Sequence, residues 1–301
     1  MSDVAKSILD KLKFKSRTCG ISYQMLLQLF CQEEFLRRLE HSQYSNNLIL
    51  KGGLFLYCIS GFRSRPTQDI DFLLKNQSNS EESIAQILDN IISIHDEESI
   101  VSFEVISLEP IAEQREYNGI RAKIIAHIKN TRTPFNIDMG VGDIIIPKPE
   151  IKALPTQLDG FDSPNIYVYS LESTISEKFD AIISRLELTS RMKDFFDIYY
   201  LAISYSFDGR KLQEAINETL QNRGTLYDSD TLIKVGKFPD NPEMLAKWRH
   251  FLKSTLKTEL NFKEVIDVII KFVGPIFEAI LHESELLKEW EPGNLIYIPY
   301  K

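Results

Sequence analysis

Two aspartates one residue apart, Asp69 and Asp71, close a stretch that opens with Lys51-Gly52-Gly53 and ends in Arg65-Pro66-Thr67-Gln68-Asp69-Ile70-Asp71-Phe72-Leu73-Leu74. A strand sends successive side chains to opposite faces, so residues i and i+2 share a face. The pattern predicts a strand over residues 69–75, with Ile70 and Phe72 entering the core and the two carboxylates side by side on the other face. Adjacent carboxylates repel unless a cation sits between them. A hard divalent ion such as Mg²⁺ does this, taking one or two carboxylates together with substrate phosphates. The glycine pair leaves backbone N–H groups open to close approach by a phosphate. On spacing alone, a charged strand edge accounts for the two aspartates as well as a metal–nucleotide site does.

The surrounding pattern places this stretch in an α/β domain. Residues 21–39 carry apolar positions near helical spacing, residues 47–50 read as a short buried strand ending at the glycines, and residues 54–60 start a helix on that turn. Residues 80–94 form an amphipathic helix, with Ile84, Ile87, Leu88, Ile91 and Ile92 on one stripe and Ser80 as its N-cap. Strands follow over residues 103–108, 121–128 and 135–139, the last two joined by a turn at Asn130-Thr131-Arg132-Thr133. The proline and glycine content of residues 147–164 marks a long connection and a domain boundary, giving domains of residues 1–160 and 161–301. Beyond Ser170 the periodicity is almost wholly helical, over residues 171–186, 191–203, 211–221, 242–259 and 262–281, with Gly274-Pro275 expected to kink or break the last.

Bulk properties narrow the class. At 301 residues and 43% hydrophobic, the chain is long and apolar enough for one large or two modest cores. The formal net charge of −8 argues against broad, non-specific nucleic-acid binding. It leaves room for a local basic patch: Lys11, Lys13, Lys15 and Arg17 fit a solvated helix face or an RNA contact. The acidic run Asp96-Glu97-Glu98 reads as solvated surface. No apolar run is long enough to span a bilayer, the first residues lack a secretory segment, and three cysteines without metal-ligand spacing fit a reduced cytoplasm.

Other polar clusters compete with the aspartate pair for a functional reading. A second Asp-x-Asp, Asp228-Ser229-Asp230, lies in loop-like sequence and reads as a surface loop. Asp138, between Ile137 and Met139, supplies a third carboxylate for the metal if its strand lies beside the first, and is otherwise an outward-facing aspartate. Asp143 reads as the cap of a glycine-flanked turn. In Arg191-Met192-Lys193-Asp194-Phe195-Phe196-Asp197, Arg191 shares a helix face with Asp194, and Lys193 with Asp197. These are either surface ion pairs or groups facing a triphosphate. Lys178, on the preceding helix, reads from physics alone as a surface charge.

Together these motifs resemble the nucleotidyltransferase signature, and in particular the AbiEii/AbiGii toxin family. Lys51-Gly52-Gly53 followed by Arg65-x-Thr67-x-Asp69-x-Asp71 matches the first motif, and Arg191, Lys193, Asp194 and Asp197 match the family's Arg-x-Lys-Asp-x-x-Asp. Lys178 is similar to the family's lysine on the preceding helix, with Asp180 in place of an aspartate three residues on. The resemblance covers roughly residues 20–205. It implies an α+β fold: a polymerase β-like nucleotidyltransferase core, a mixed sheet flanked by helices, with a helical C-terminal domain. It implies NMP transfer from an NTP with Mg²⁺, or alternatively Mn²⁺, to an acceptor such as the 3′ end of tRNA. The setting would be a toxin–antitoxin pair with a cognate antitoxin, active in abortive phage infection. Asp69, Asp71 and Asp138 would hold metal. Gly52, Gly53, Arg65, Thr67, Lys178, Arg191 and Lys193 would bind nucleotide, and Lys178 and Asp194 would join the aspartates in catalysis. The family has a serine or a second glycine after its first glycine, so Gly53 keeps the phosphate cradle and removes a hydroxyl contact. Transfer to a protein or small molecule, or a silent nucleotide-binding module, are the alternatives.

Overall fold

The computed structural model describes residues 2–94, 99–111 and 119–300. The acidic run Asp96-Glu97-Glu98 lies outside the described residues. The chain divides into two compact units, one of residues 1–142 and 149–169, the other of residues 143–148 and 170–301.

The first unit is built on a mixed seven-stranded sheet. Its elements in chain order are α1 (Ser2–Cys19), α2 (Tyr23–His41), β1 (Leu48–Lys51), α3 (Gly52–Ile59), β2 (Ile70–Leu74), α4 (Glu81–Ser93), β3 (Ser102–Ile111), β4 (Gly119–Ile128), β5 (Thr131–Gly140), β6 (Glu150–Ala153) and β7 (Asn165–Val168). The strand order is β3-β4-β5-β2-β1-β7-β6. The β5/β2 and β1/β7 pairs are parallel and the others antiparallel.

Alternation does what the pattern predicts: Ile70, Phe72, Ile137 and Met139 are buried, while Asp71 and Asp138 between them are half-buried. Phe35 of α2 packs against Phe72 and, edge-on, against Phe103, which meets Phe135 in turn. Burying an aromatic ring of this kind is worth about 2–3 kcal/mol. The α4 stripe is buried at Ile84, Ile87, Leu88 and Ile91, and the Ser80 hydroxyl accepts the Ser83 N–H at 3.3 Å, as its capping position requires.

Two expectations fail in this unit. The β4–β5 turn is Lys129-Asn130 alone, since Ile128 already pairs with Thr131; Lys129 adopts φ 52, the left-handed conformation that a two-residue hairpin demands. The stretch 147–164 is not all connection: β6 lies within it. With all four β6 residues exposed, no hydrophobic alternation announces this edge strand.

Glu33 of α2 is 5% exposed and accepts the Gln157 N–H on both carboxylate oxygens, at 2.9 and 3.1 Å. Burial pushes its carboxyl up from 4.5 to about 7, outweighing the Gln157 N–H and the Arg37 and Lys15 charges. The folded chain therefore binds the Glu33 proton more tightly than the unfolded chain does. This contribution to stability is full below about 4.5, falls as the pH rises toward about 7, and is then lost. It amounts to about 3 kcal/mol. Denaturant melts at pH 5 and pH 8 should show Glu33→Gln abolishing this part of the pH dependence; an unchanged slope contradicts the assignment.

The second unit is mainly helical: α5 (Leu171–Ile183), α6 (Met192–Ser204), α7 (Gly209–Asn222), α8 (Thr231–Gly236), α9 (Pro242–Phe251) and α10 (Phe262–Leu281). It also carries a small antiparallel sheet that the helical periodicity did not disclose, β8 (Phe207–Asp208), β9 (Lys288–Glu291) and β10 (Ile296–Pro299). Trp290 of β9 is fully buried, and its indole N–H donates to the Ala202 carbonyl at 2.7 Å. Helix α10 runs through Pro275 without a break. The expected 242–259 helix ends as α9 at Phe251, followed by a π-helical turn that closes at Lys257 with φ 53. Among the described residues no helix is long and apolar enough to cross a membrane.

Candidate active site

Strand β1 ends at Lys51, and the chain turns at Gly52, with φ +69, directly into α3. No side chain caps this helix start. Glycine is required at position 52 twice over. The left-handed backbone disfavours any L side chain, and a Cβ there would fall onto the Asp71 carboxylate, 2.6 Å from its Cγ. The first turn of α3 and Asp71 are therefore in van der Waals contact. At Gly53 a Cβ would lie 2.7 Å from the Thr67 hydroxyl and 3.4 Å from Arg65 Nη1. Thr67 thus brings a hydroxyl to the spot where a serine at position 53 would begin. Arg65 is buried, and the 65–68 loop is pinned to α2 because the Gln28 and Gln32 side-chain amides donate to the Gln68 carbonyl, Gln32 at 2.7 Å.

Register sets the rest. Lys51 pairs with Asp71 across β1/β2, Asp71 with Asp138 across β2/β5, and Asp138 with Arg121 across β5/β4. Directly paired residues share a face, so two acids stand between two cations in one row across the sheet. Asp69, just ahead of β2, accepts the Asn136 amide at 3.0 Å. Asp138 is thus beside Asp71, on the same side of the sheet. Its carboxylate, however, is engaged: Arg121 donates from Nε to Oδ1 at 2.7 Å and from Nη2 to Oδ2 at 2.6 Å. The hydrogen bond to Asp138, with the Asp138, Asp69 and Asp71 charges, pushes the Arg121 guanidinium further up. Among the described residues, no three acidic, histidine or cysteine side chains gather closely enough to hold a metal by themselves. Asp69 and Asp71 do fit Mg²⁺ or Mn²⁺: they are hard oxygen donors, and that ion class takes one or two carboxylates and fills its shell with phosphate and water.

Gly52→Ala tests the cradle. The backbone alone should cost about 1–2 kcal/mol of stability, and displacement of Asp71 should lower NTP turnover by about a hundredfold. Parental turnover in a folded Gly52→Ala variant would show that the contact does not matter.

The helical motif forms a second cluster, within the other unit. Lys178 Nζ of α5 lies 2.6 Å from Asp197 Oδ2 and 3.1 Å from Asp194 Oδ1 on α6; Arg191 Nε lies 2.8 Å from Asp194 Oδ2. The Lys178 side chain is 11% exposed and the two aspartates 1% and 2%. Lys178 is therefore not the surface charge that physics alone predicts, and Asp197 bonds to it across the helix pair. Lys193 is exposed. The Asp143 carboxylate meets Arg223 at 2.7 Å, and Arg223 also holds Asp180 at 3.1 Å. Asp228 and Asp230 are an exposed loop, with Asp228 salt-bridged to Lys234, as expected.

Sequence reasoning missed Arg121, Asn136, Gln28 and Gln32. Arg121 reaches Asp138 only through the two-residue hairpin register. An open cleft of about 900 Å³ along α1, lined by Lys6, Lys11, Phe14 and Gln157 among others, contains none of the site residues.

A mixed sheet carrying a glycine helix start beside paired aspartates suits nucleotidyl transfer. The chain belongs to the nucleotidyl transferase AbiEii toxin family of type IV toxin–antitoxin systems, whose family model matches residues 34–280. Its fold is similar to that of MenT4, a nucleotidyltransferase toxin from Mycobacterium tuberculosis H37Rv, with TM-score 0.54 and 16% identity over 91% of this chain and 99% of that one. It is also similar to JHP933 from Helicobacter pylori, with TM-score 0.51 and 16% identity over 87% of this chain and 95% of that one. None of the curated proteins matches this chain in sequence.

Proposed function

We propose that this toxin transfers a nucleoside monophosphate from an NTP to the 3′ end of tRNA, with Mg²⁺ or Mn²⁺ held by Asp69 and Asp71, as one half of a toxin–antitoxin pair acting in phage defence. The observation that carries the reading is the Asp71 carboxylate seated against the glycine start of α3. That arrangement sets anionic oxygens for a metal beside backbone N–H groups for phosphate. The ion, when bound, supplies Lewis-acid stabilisation of charge on the triphosphate. Gly52 and Gly53 bind phosphate oxygens through their N–H groups. Arg65 and Thr67 orient the nucleotide beside them. The acceptor hydroxyl attacks the α-phosphorus and gives its proton to the Asp138 carboxylate, the bond to the β-phosphate oxygen breaks, and pyrophosphate leaves. Asp138 joins the acidic set once Arg121 releases it. Lys178, Arg191 and Lys193 are assigned to the nucleotide, and Asp194 to a supporting role, by their motif.

The tRNA acceptor and the antitoxin partner rest on family membership. The test is a panel of α-labelled NTPs offered with total tRNA, with protein and with small-molecule acceptors. The expected result is label at tRNA 3′ ends, abolished by a chelator. Label on protein or a small molecule instead would reassign the acceptor, and NTP binding without any transfer would make the chain a docking module.

A further inference from the structure

We infer that Arg121 is a built-in counter-cation that keeps divalent metal off the nucleotide-free enzyme, so that metal is taken up together with NTP. The inference rests on the metal site proposed above and concerns its regulation. Both oxygens of Asp138 are already bonded to one guanidinium, at 2.7 and 2.6 Å. These are short, charge-assisted, bidentate bonds, the strongest kind a side chain makes. Arginine cannot shed its charge to make way for an ion. An ion approaching Asp69 and Asp71 therefore meets a fixed positive charge in the same row of the sheet, and a third carboxylate that is neutralised.

NTP changes this balance in two ways. Its phosphates complete the shell of an ion that the two remaining carboxylates hold poorly alone. They also offer the guanidinium a partner that matches its forked geometry. The Arg121 side chain is 40% exposed, which leaves it room to turn, whereas Asp138 is 17% exposed and fixed on its strand. Arg121 is thus a positioning residue that acts through Asp138.

The experiment is Mn²⁺ binding to the full chain, read from the free-ion electron paramagnetic resonance signal, with and without a non-hydrolysable NTP. Arg121→Gln should bind Mn²⁺ about tenfold more tightly than the parent in the absence of NTP, and the enhancement by NTP should shrink by the same factor. Arg121→Lys keeps the charge but not the fork and should fall between the two. Adding Asp138→Asn to Arg121→Gln should return NTP-free affinity toward the parental value. A merely structural role for Arg121 predicts none of these shifts, and NTP-free affinity within twofold of the parent in both single variants overturns the inference. Asp71→Asn separates this from the underlying site: if it leaves Mn²⁺ binding in the presence of NTP untouched, the metal site itself is wrong. If it abolishes that binding while the Arg121 variants stay parental, only the role of Arg121 fails.

Discussion

Asp71→Asn should lower NMP transfer by about a thousandfold while leaving the melting temperature near that of the parent. Asparagine has the shape of aspartate, so it fits the half-buried space beside Gly52 that tolerates no extra atom. What it loses is charge. An amide is a weak ligand for a hard divalent ion, and the neutral side chain no longer offsets the cations on either side of the row, Lys51 and Arg121. Asp71 lies at the edge of the core between buried Ile70 and Phe72, so backbone pairing and packing are unaffected. Transfer of labelled NMP and a thermal melt on the same preparation check both halves. Transfer at the parental rate would remove Asp71 from the metal site.

Lys178→Ala should destabilise the second unit by about 3 kcal/mol. The substitution strips the ammonium from two carboxylates that are almost inaccessible to water, and a buried charge without its partner is costly. Arg191 still forms an ion pair with Asp194, so the larger share of the loss falls on Asp197. Denaturant unfolding measures the loss, and unchanged stability would contradict the network. Adding Asp197→Asn removes the orphaned charge and should restore much of the stability. If Lys178 also serves NTP, as its motif implies, the double variant regains its fold but not its transfer rate. Recovery of both would confine Lys178 to the ion network.

The polar face of the sheet was legible in the sequence because a strand has a period of two and its buried neighbours are strongly apolar. Ile70, Phe72, Ile137 and Met139 left Asp71 and Asp138 no other side to occupy. The partner of Asp138 was hidden by a turn. A four-residue turn at 130–133 places Ile125 opposite Asp138, whereas the observed Lys129-Asn130 turn places Arg121 there. Lys129 in the left-handed region gives no sequence warning, since that conformation is usually signalled by glycine or asparagine. Strand β6 was missed because its side chains are exposed, and β8 because two residues carry no period. The burial of Lys178 could not be read locally. It depends on two aspartates of the next helix, 16 and 19 positions away, meeting it across the helix pair.

The most direct measurement is a crystal structure with Mn²⁺ and a non-hydrolysable NTP, with diffraction recorded at the manganese absorption edge. The expected result is an anomalous peak about 2.1 Å from oxygens of both Asp69 and Asp71 and of the triphosphate, with the phosphates over the Gly52-Gly53 turn. A nucleotide bound elsewhere, or a metal that touches neither aspartate, would contradict it.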